Sequence, residues 1–342
     1  MVNIFKNKTI LVTGGAGSIG SGIVRMLIKC QPKQIRVLDI RETELVDMQR
    51  ELTTNQDINF FIGDVRDKER LNLAMKNVDI VFHTAALKHV PACEYNPFEA
   101  VKTNVGGTQN VIDTALSNNV ERVINISTDK VTNTINTMGA TKLLAERLIT
   151  SANNYKGTKK TIFSSVRFGN VLNSRGSIIE LFKTQLKNRK PLTVTKPEMT
   201  RFIMSIPQAV NLVLKSAELA KGGEIFILKM PVFMLSDLVH VVVEELAPKY
   251  GIESNKVKIK EIGLRAGEKM YEDLMTEEEA RSTIETNHYL IIQPEITFSH
   301  FKKVKRDYNG GKRTLKESYS SKQSKILSRE ELKEILLKAD SL

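Results

Sequence analysis

The run Thr13-Gly14-Gly15-Ala16-Gly17-Ser18-Ile19-Gly20 constrains this chain more than any other feature. It follows a short apolar segment, Thr9–Thr13, and opens an amphipathic one, Ile19–Lys29. Clustered glycines between a strand and a helix permit a tight turn and a close approach of backbone to a phosphate. The helix N-terminus adds unpaired N–H groups and a favourable dipole. Asp39 ends the next strand-like run, Ile35–Asp39, about 20 residues on, where an acidic residue accepts from an adenosine ribose hydroxyl. Arg41 stands two residues later and suits a 2′-phosphate. The pattern therefore predicts a bound dinucleotide, NADP with NAD also possible. Thr13, Gly14, Gly17, Ser18, Ile19 and Gly20 form the expected cradle, with Asp39, Arg41, Asp64, Val65 and Ala85 around it. Asp64 is placed to accept from the adenine amino group, or serves as a plain turn residue.

Alternation continues beyond the glycines. Strand-like Ile58–Ile62, Asp79–Phe82, Arg122–Ser127 and Thr161–Arg167 are separated by helix-like runs such as Glu42–Leu52 and Phe98–Ser117. Such a pattern predicts an α/β fold, a Rossmann-type doubly wound parallel sheet with ligands at the strand C-terminal ends. After Arg167 the pattern loosens, then Pro207–Leu219 and Glu224–Leu228 look like a return to the sheet. A smaller C-terminal α/β substrate-binding domain woven from more than one segment is expected. The Rossmann part takes 1–169 and 205–230, the second domain takes 170–204 and 231–300, and 301–342 forms a basic C-terminal extension.

Composition narrows the functional classes. With 342 residues the chain can bury a sizeable core. Its apolar runs fall short of the roughly 20 residues of a membrane helix, and no signal peptide is legible, so no membrane association is expected. Two cysteines, Cys30 and Cys93, suit a reduced cytoplasmic protein without a metal site. The net charge of +12 suits an anionic partner. Part of the excess lies in Lys302, Lys303, Lys305, Arg306, Lys312, Arg313 and Lys316, which read as a solvated tail. The few aromatics there argue against nucleic acid.

A second cluster carries the chemistry. Ser127-Thr128-Asp129-Lys130 follows a strand, and Met138 and Lys142 share one face at the start of a helical run. On residue types alone, Asp129-Lys130 also reads as an exposed turn pair, and Met138 as core packing. With the glycine run, these residues resemble the extended short-chain dehydrogenase/reductase family, which uses a Tyr-x-x-x-Lys pair. Met138 stands where the tyrosine should be, and methionine cannot titrate. The UDP-N-acetylglucosamine 4,6-dehydratase group of that family tolerates methionine there and carries an Asp-Lys pair. Four further segments are similar to that group: Ala85–Pro91, Glu94–Pro97, Arg167–Ser177 and Gly263–Lys269. The loop Val131–Thr134 lacks the proline common there.

The resemblance implies a reaction and roles. A ketone forms at C4 of the sugar, water leaves across C5 and C6, and hydride returns to C6 from a tightly bound, recycled cofactor. Asp129 is implied as the acid at C6 and Lys130 as the base at C5, with Lys130 lowered in pKa by burial or nearby cations. Thr128 is implied at the C4 oxygen and Lys142 at the nicotinamide ribose. Lys88, Asn170, Arg201, Arg265 and Glu268 are the expected contacts of a UDP-sugar substrate. Asn104 is expected to support the site, and relatives assemble as dimers or hexamers, so a homo-oligomer is expected. The alternatives are a nucleotide-sugar 4-epimerase, a dehydratase of another nucleotide sugar, and, more distantly, a non-catalytic NADP-sensing protein.

Overall fold

The computed structural model describes residues 3–52, 57–294 and 307–342. The first half runs β1 (Thr9–Thr13), α1 (Ser18–Ile28), β2 (Gln34–Asp39), α2 (Glu42–Glu51), β3 (Ile58–Ile62), α3 (Lys68–Met75) and β4 (Ile80–His83). It continues with α4 (Val90–Tyr95), α5 (Pro97–Ala100), a π-helical turn (Val101–Gly106), α6 (Gly107–Ser117), β5 (Arg122–Ile126), α7 (Thr137–Tyr155) and β6 (Ile162–Arg167). Next come β7 (Asn170–Val171), α8 (Ile178–Lys187), β8 (Leu192–Val194), β9 (Thr200–Met204), α9 (Ile206–Leu219), β10 (Ile225–Leu228), β11 (Val232–Met234) and α10 (Leu235–Leu246). The last elements are β12 (Ile259–Glu261), β13 (Asp273–Met275), α11 (Glu277–Ala280), β14 (Thr283–Glu285), β15 (Tyr289–Ile292), β16 (Lys312–Arg313), β17 (Tyr319–Ser320) and α12 (Arg329–Lys338).

The main sheet has the order β3-β2-β1-β4-β5-β6-β10-β15-β14-β16, parallel as far as β10 and antiparallel beyond it. This is the doubly wound fold the alternation predicts. Its central strands are covered on both faces, which is why β1 (TILVT) and β4 (IVFH) are buried throughout instead of alternating. Strand order reverses between β1 and β4, the switch point where such sheets open a ligand crevice.

Two expectations change. Phe98–Ser117 is not one helix, because the π-helical turn interrupts it and brings Asn104 inside. The tail is only partly solvated: Lys312, Arg313 and Lys316 are exposed, but from residue 307 the segment is built into the protein. Tyr308 and Tyr319 are buried, and their hydroxyls donate to a Glu224 carboxylate oxygen and the Met230 carbonyl. β16 extends the main sheet, while Leu332 and Leu336 on α12 complete a second core with α8 and α10. Lys302, Lys303, Lys305 and Arg306 lie outside the described residues.

Candidate active site

A continuous cleft of about 1000 Å³ runs over the switch point and between the two cores. At one end lies the glycine run. Gly14 has φ +65°, and a Cβ there would stand 2.6 Å from the Ala85 nitrogen, so only glycine lets the two backbones meet. The N-terminus of α1 has no side-chain cap and opens on the cleft through Gly17, Ser18, Ile19 and Gly20. Uncapped N–H groups on a loop that close fit an anionic pyrophosphate. Thr13 is not on the wall. It is fully buried below the loop, its hydroxyl 2.8 Å from Nδ1 of His83, whose Nε2 reaches Thr108. Burial, with Lys142 nearby, pushes His83 down to about 3, so this support stays neutral.

Asp39 and Arg41 are joined, not alternatives. Oδ1 of Asp39 accepts from N and Nε of Arg41, and Oδ2 accepts from Nη2 of Arg41 and N of Ala16, each at 3.1 Å. Asp64 is likewise held by Arg66, and both it and Val65 line the cleft. A strap crosses above: the Arg175 N–H donates to Ser18 Oγ at 3.0 Å, its guanidinium to Glu44 at 3.1 Å, and Lys88 donates to the Arg175 carbonyl at 2.7 Å. Burial, with Arg175 and Arg41 adding, lowers the Lys88 pKa.

At the middle of the cleft, β5 delivers Thr128, Asp129 and Lys130 in a short 3₁₀ turn, and α7 lies against it. A Cβ on Gly139 would collide with the Lys130 carbonyl and Thr134 Oγ1, so glycine sets this approach. Asn104 fastens the same region, exchanging hydrogen bonds with the Leu87 backbone and donating to Thr141 on α7. Lys142 is buried, donates to the Ile126 carbonyl, and faces the cleft. Burial, opposed by Glu146 one turn on, lowers its pKa to about 8. Glu146 is itself paired with the fully buried Arg167, which also binds Glu279 and the Leu274 carbonyl. Met138 lines the cleft but packs with Cys93 and Ala100 in a small apolar cluster.

Asp129 is buried. Its Oδ1 accepts from Thr128 Oγ1 at 2.8 Å and Lys130 Nζ at 2.9 Å, while Oδ2 has no partner. The expected lowering of Lys130 is overturned. Burial does push it down, but pairing with Asp129 and with Glu272 at 3.5 Å outweighs burial and leaves its pKa raised. Glu272 lies three residues past the last motif, Gly263–Lys269, and carries no sequence signal of its own. Glu146, also absent from the expected residues, does carry one: its four-residue spacing from Lys142 is a helical-face signal.

Toward the second core stand Asn170, Arg201, Arg265 and Glu268. Arg201 does not present a free fork. Its guanidinium donates to the carbonyls of Thr200, Lys269 and Met270 and props the 265–272 segment. Arg265 and Glu268 close a turn on each other, the Arg265 N–H donating to Glu268 Oε2 at 3.2 Å. Among the described residues, no cluster of side chains suits a metal ion and no helix is long and apolar enough to cross a membrane.

Residues 10–294 match the family described as polysaccharide biosynthesis protein. A Methanocaldococcus jannaschii protein described as an uncharacterized membrane protein is 58% identical over 334 residues, 98% of this chain and 96% of that one. A UDP-N-acetylglucosamine 4,6-dehydratase (inverting) of Campylobacter jejuni is 43% identical over 295 residues, 86% of this chain and 85% of its own. A Rickettsia bellii UDP-glucose 4-epimerase is 41% identical over 342 residues, 98% and 97% of the two chains. Among solved structures, Pen from Bacillus thuringiensis superposes with a TM-score of 0.91 at 45% identity, covering 99% of each chain.

Proposed function

The chain belongs to the polysaccharide biosynthesis protein family, within the extended short-chain dehydrogenase/reductases, and from that premise we propose that it is a UDP-N-acetylglucosamine 4,6-dehydratase. The observation that carries the reading is the buried Asp129 paired with the half-buried Lys130, beside the buried Lys142, with a methionine at 138. An acid and a base stand together at the cleft, and the phenol that an ordinary family member relies on is absent.

Water is hard to remove across C5 and C6 of a sugar because the C5 proton is not acidic; a ketone at C4 makes it so. When bound, a nicotinamide cofactor would supply the redox chemistry between C4 and C6, with no external reductant needed. Lys142, with its pKa at about 8, has an amine fraction near neutrality that takes the C4 hydroxyl proton. Thr128 spends its own proton on Asp129, so its oxygen is left to accept from the C4 hydroxyl. Asp129 gives its proton to the departing C6 hydroxyl, and Lys130 takes the C5 proton. Lys130 then returns a proton to C5 as C6 is reduced, and the C4 proton held by Lys142 restores Asp129, so the cycle balances.

The cofactor would be held by Gly14–Gly20, Asp64, Val65, Ala85 and Lys142, and the substrate diphosphate and uridine by Lys88, Asn170, Arg201, Arg265 and Glu268. NADP is favoured over NAD. The Asp39 oxygens that a ribose hydroxyl needs are occupied, and the cation a 2′-phosphate needs is held beside them. Arg41→Ala is expected to weaken NADP binding about tenfold or more while changing NAD binding little, as isothermal titration would read. A homo-oligomer belongs to the same reading, since Tyr95 and Phe98 leave apolar surface exposed beside the site.

Mass spectrometry of UDP-N-acetylglucosamine incubated with protein and NADP, without reductant, tests the assignment. Loss of one water supports it. A new isomer of unchanged mass supports the second reading, a 4-epimerase, which the full-length likeness to the Rickettsia protein favours and Met138 opposes. An unaltered sugar removes the substrate.

A further inference from the structure

Glu272 is a buried carboxylate with no place in the scheme above. It precedes β13, its backbone is held on both sides by Ser321, and it is 3% exposed. Its Oε1 lies 3.5 Å from Lys130 Nζ and 3.7 Å from Arg201 Nε, while Oε2, fully buried, has no hydrogen-bond partner. The same ammonium also pairs with Asp129, whose Oδ2 is likewise buried and without a hydrogen-bond partner. Native proteins seldom leave buried carboxylate oxygens unpaired, and two around one lysine point to a group that changes its protonation.

We propose that Glu272 is a positioning residue of the elimination step, acting through Lys130 as the group that holds a proton beside it. The inference rests on the dehydratase reading. Elimination requires Asp129 as an acid and Lys130 as an amine at the same time. With both carboxylates ionised, the ammonium keeps its proton. With Glu272 already a neutral acid, one proton moving from Lys130 to Asp129 gives the reactive form: two carboxylic acids and a free amine, with no net change of charge. Lys130 then takes the C5 proton, and Asp129 delivers its own to the C6 hydroxyl, which leaves as water. The groups facing Glu272 are Lys130, Asp129, Arg201 and Lys269. Burial is the largest influence on Glu272, and with Asp129 it outweighs the cations and raises its pKa. Titration of one carboxyl therefore reaches catalysis through the lysine between.

The experiment compares wild type with Glu272→Gln, Glu272→Ala and Glu272→Asp in the cofactor-loaded enzyme, using substrate deuterated at C4 or at C5. Glutamine mimics the neutral acid and is expected to stay within about threefold of wild-type kcat, but to lose the fall in rate expected of wild type as Glu272 ionises at higher pH. Alanine is expected to lower kcat about 100-fold and to enlarge the C5 isotope effect without enlarging the C4 effect, since C5 proton removal becomes limiting. Aspartate, which restores a carboxyl, is expected to recover part of that loss. A C4 effect that grows instead, or a glutamine variant that keeps the wild-type pH profile, overturns the inference. If alanine does not fold, the glutamine profile decides alone. Wild type that removes no water overturns the dehydratase reading itself, which separates the two failures.

Discussion

Lys142 shows how one residue can be costly to the fold and useful to the site. It loses its proton near pH 8 in the folded protein and near its ordinary value of 10.5 when unfolded. Between these values the unfolded chain binds more protons, so stability rises with pH. Below both, the lysine is charged in either state and the whole cost of burying it remains. Lys142→Met is therefore expected to raise stability at pH 7 by roughly 1–3 kcal/mol in denaturant titration, while kcat falls by about 100-fold or more. In wild type, kcat should climb as pH rises toward 8, because the amine is the working form in the proposed reaction. Met138 has no proton to give, and its packing with Cys93 and Ala100 needs only volume. Met138→Leu is expected to keep kcat within about threefold; a loss of 100-fold would mean that the thioether itself takes part.

At the scale of elements, the site depends on how tightly α7 sits on the turn that follows β5. Gly139→Ala forces a methyl against the Lys130 carbonyl and Thr134. It should cost roughly 1–3 kcal/mol and lower kcat at least tenfold, a larger effect than on cofactor affinity, since most of the proposed cofactor contacts lie on the glycine cradle. Much at this level was legible beforehand. The apolar runs set β1 and β3 to the residue, and the ends of the other early strands lie within a residue or two, because buried parallel strands are continuous apolar blocks between turn residues. The turn after β1 and the Met138–Lys142 face were legible for the same local reason. The break in Phe98–Ser117 was not, because apolar spacing does not distinguish an α turn from a π turn. Nor was the reversal of the Lys130 shift, because Glu272 lies 142 positions away in the chain and only the folded molecule brings it to the ammonium.

At the scale of the whole molecule, the chain's basic end is structural. Leu332 and Leu336 are fully buried against the core built by α8 and α10. Leu336→Ala is expected to cost about 2–5 kcal/mol, read as a lower midpoint in urea, although the residue lies far along the chain from every cleft residue. A tail without packing would give no change. Charge composition misled here because lysine stems cover apolar surface while their heads stay in water, so a basic stretch can still carry a core face.

That helix has a consequence for how the protein is made. The strands from β1 to β6 occur in unbroken succession, and each packs on neighbours already synthesised, so the glycine cradle can assemble while the ribosome is still at work. The core behind the opposite wall of the cleft is completed only when α12 packs on it. A growing chain passes through a stage with a formed dinucleotide half and an open apolar face on α8 and α10, and during that interval it is most exposed to aggregation.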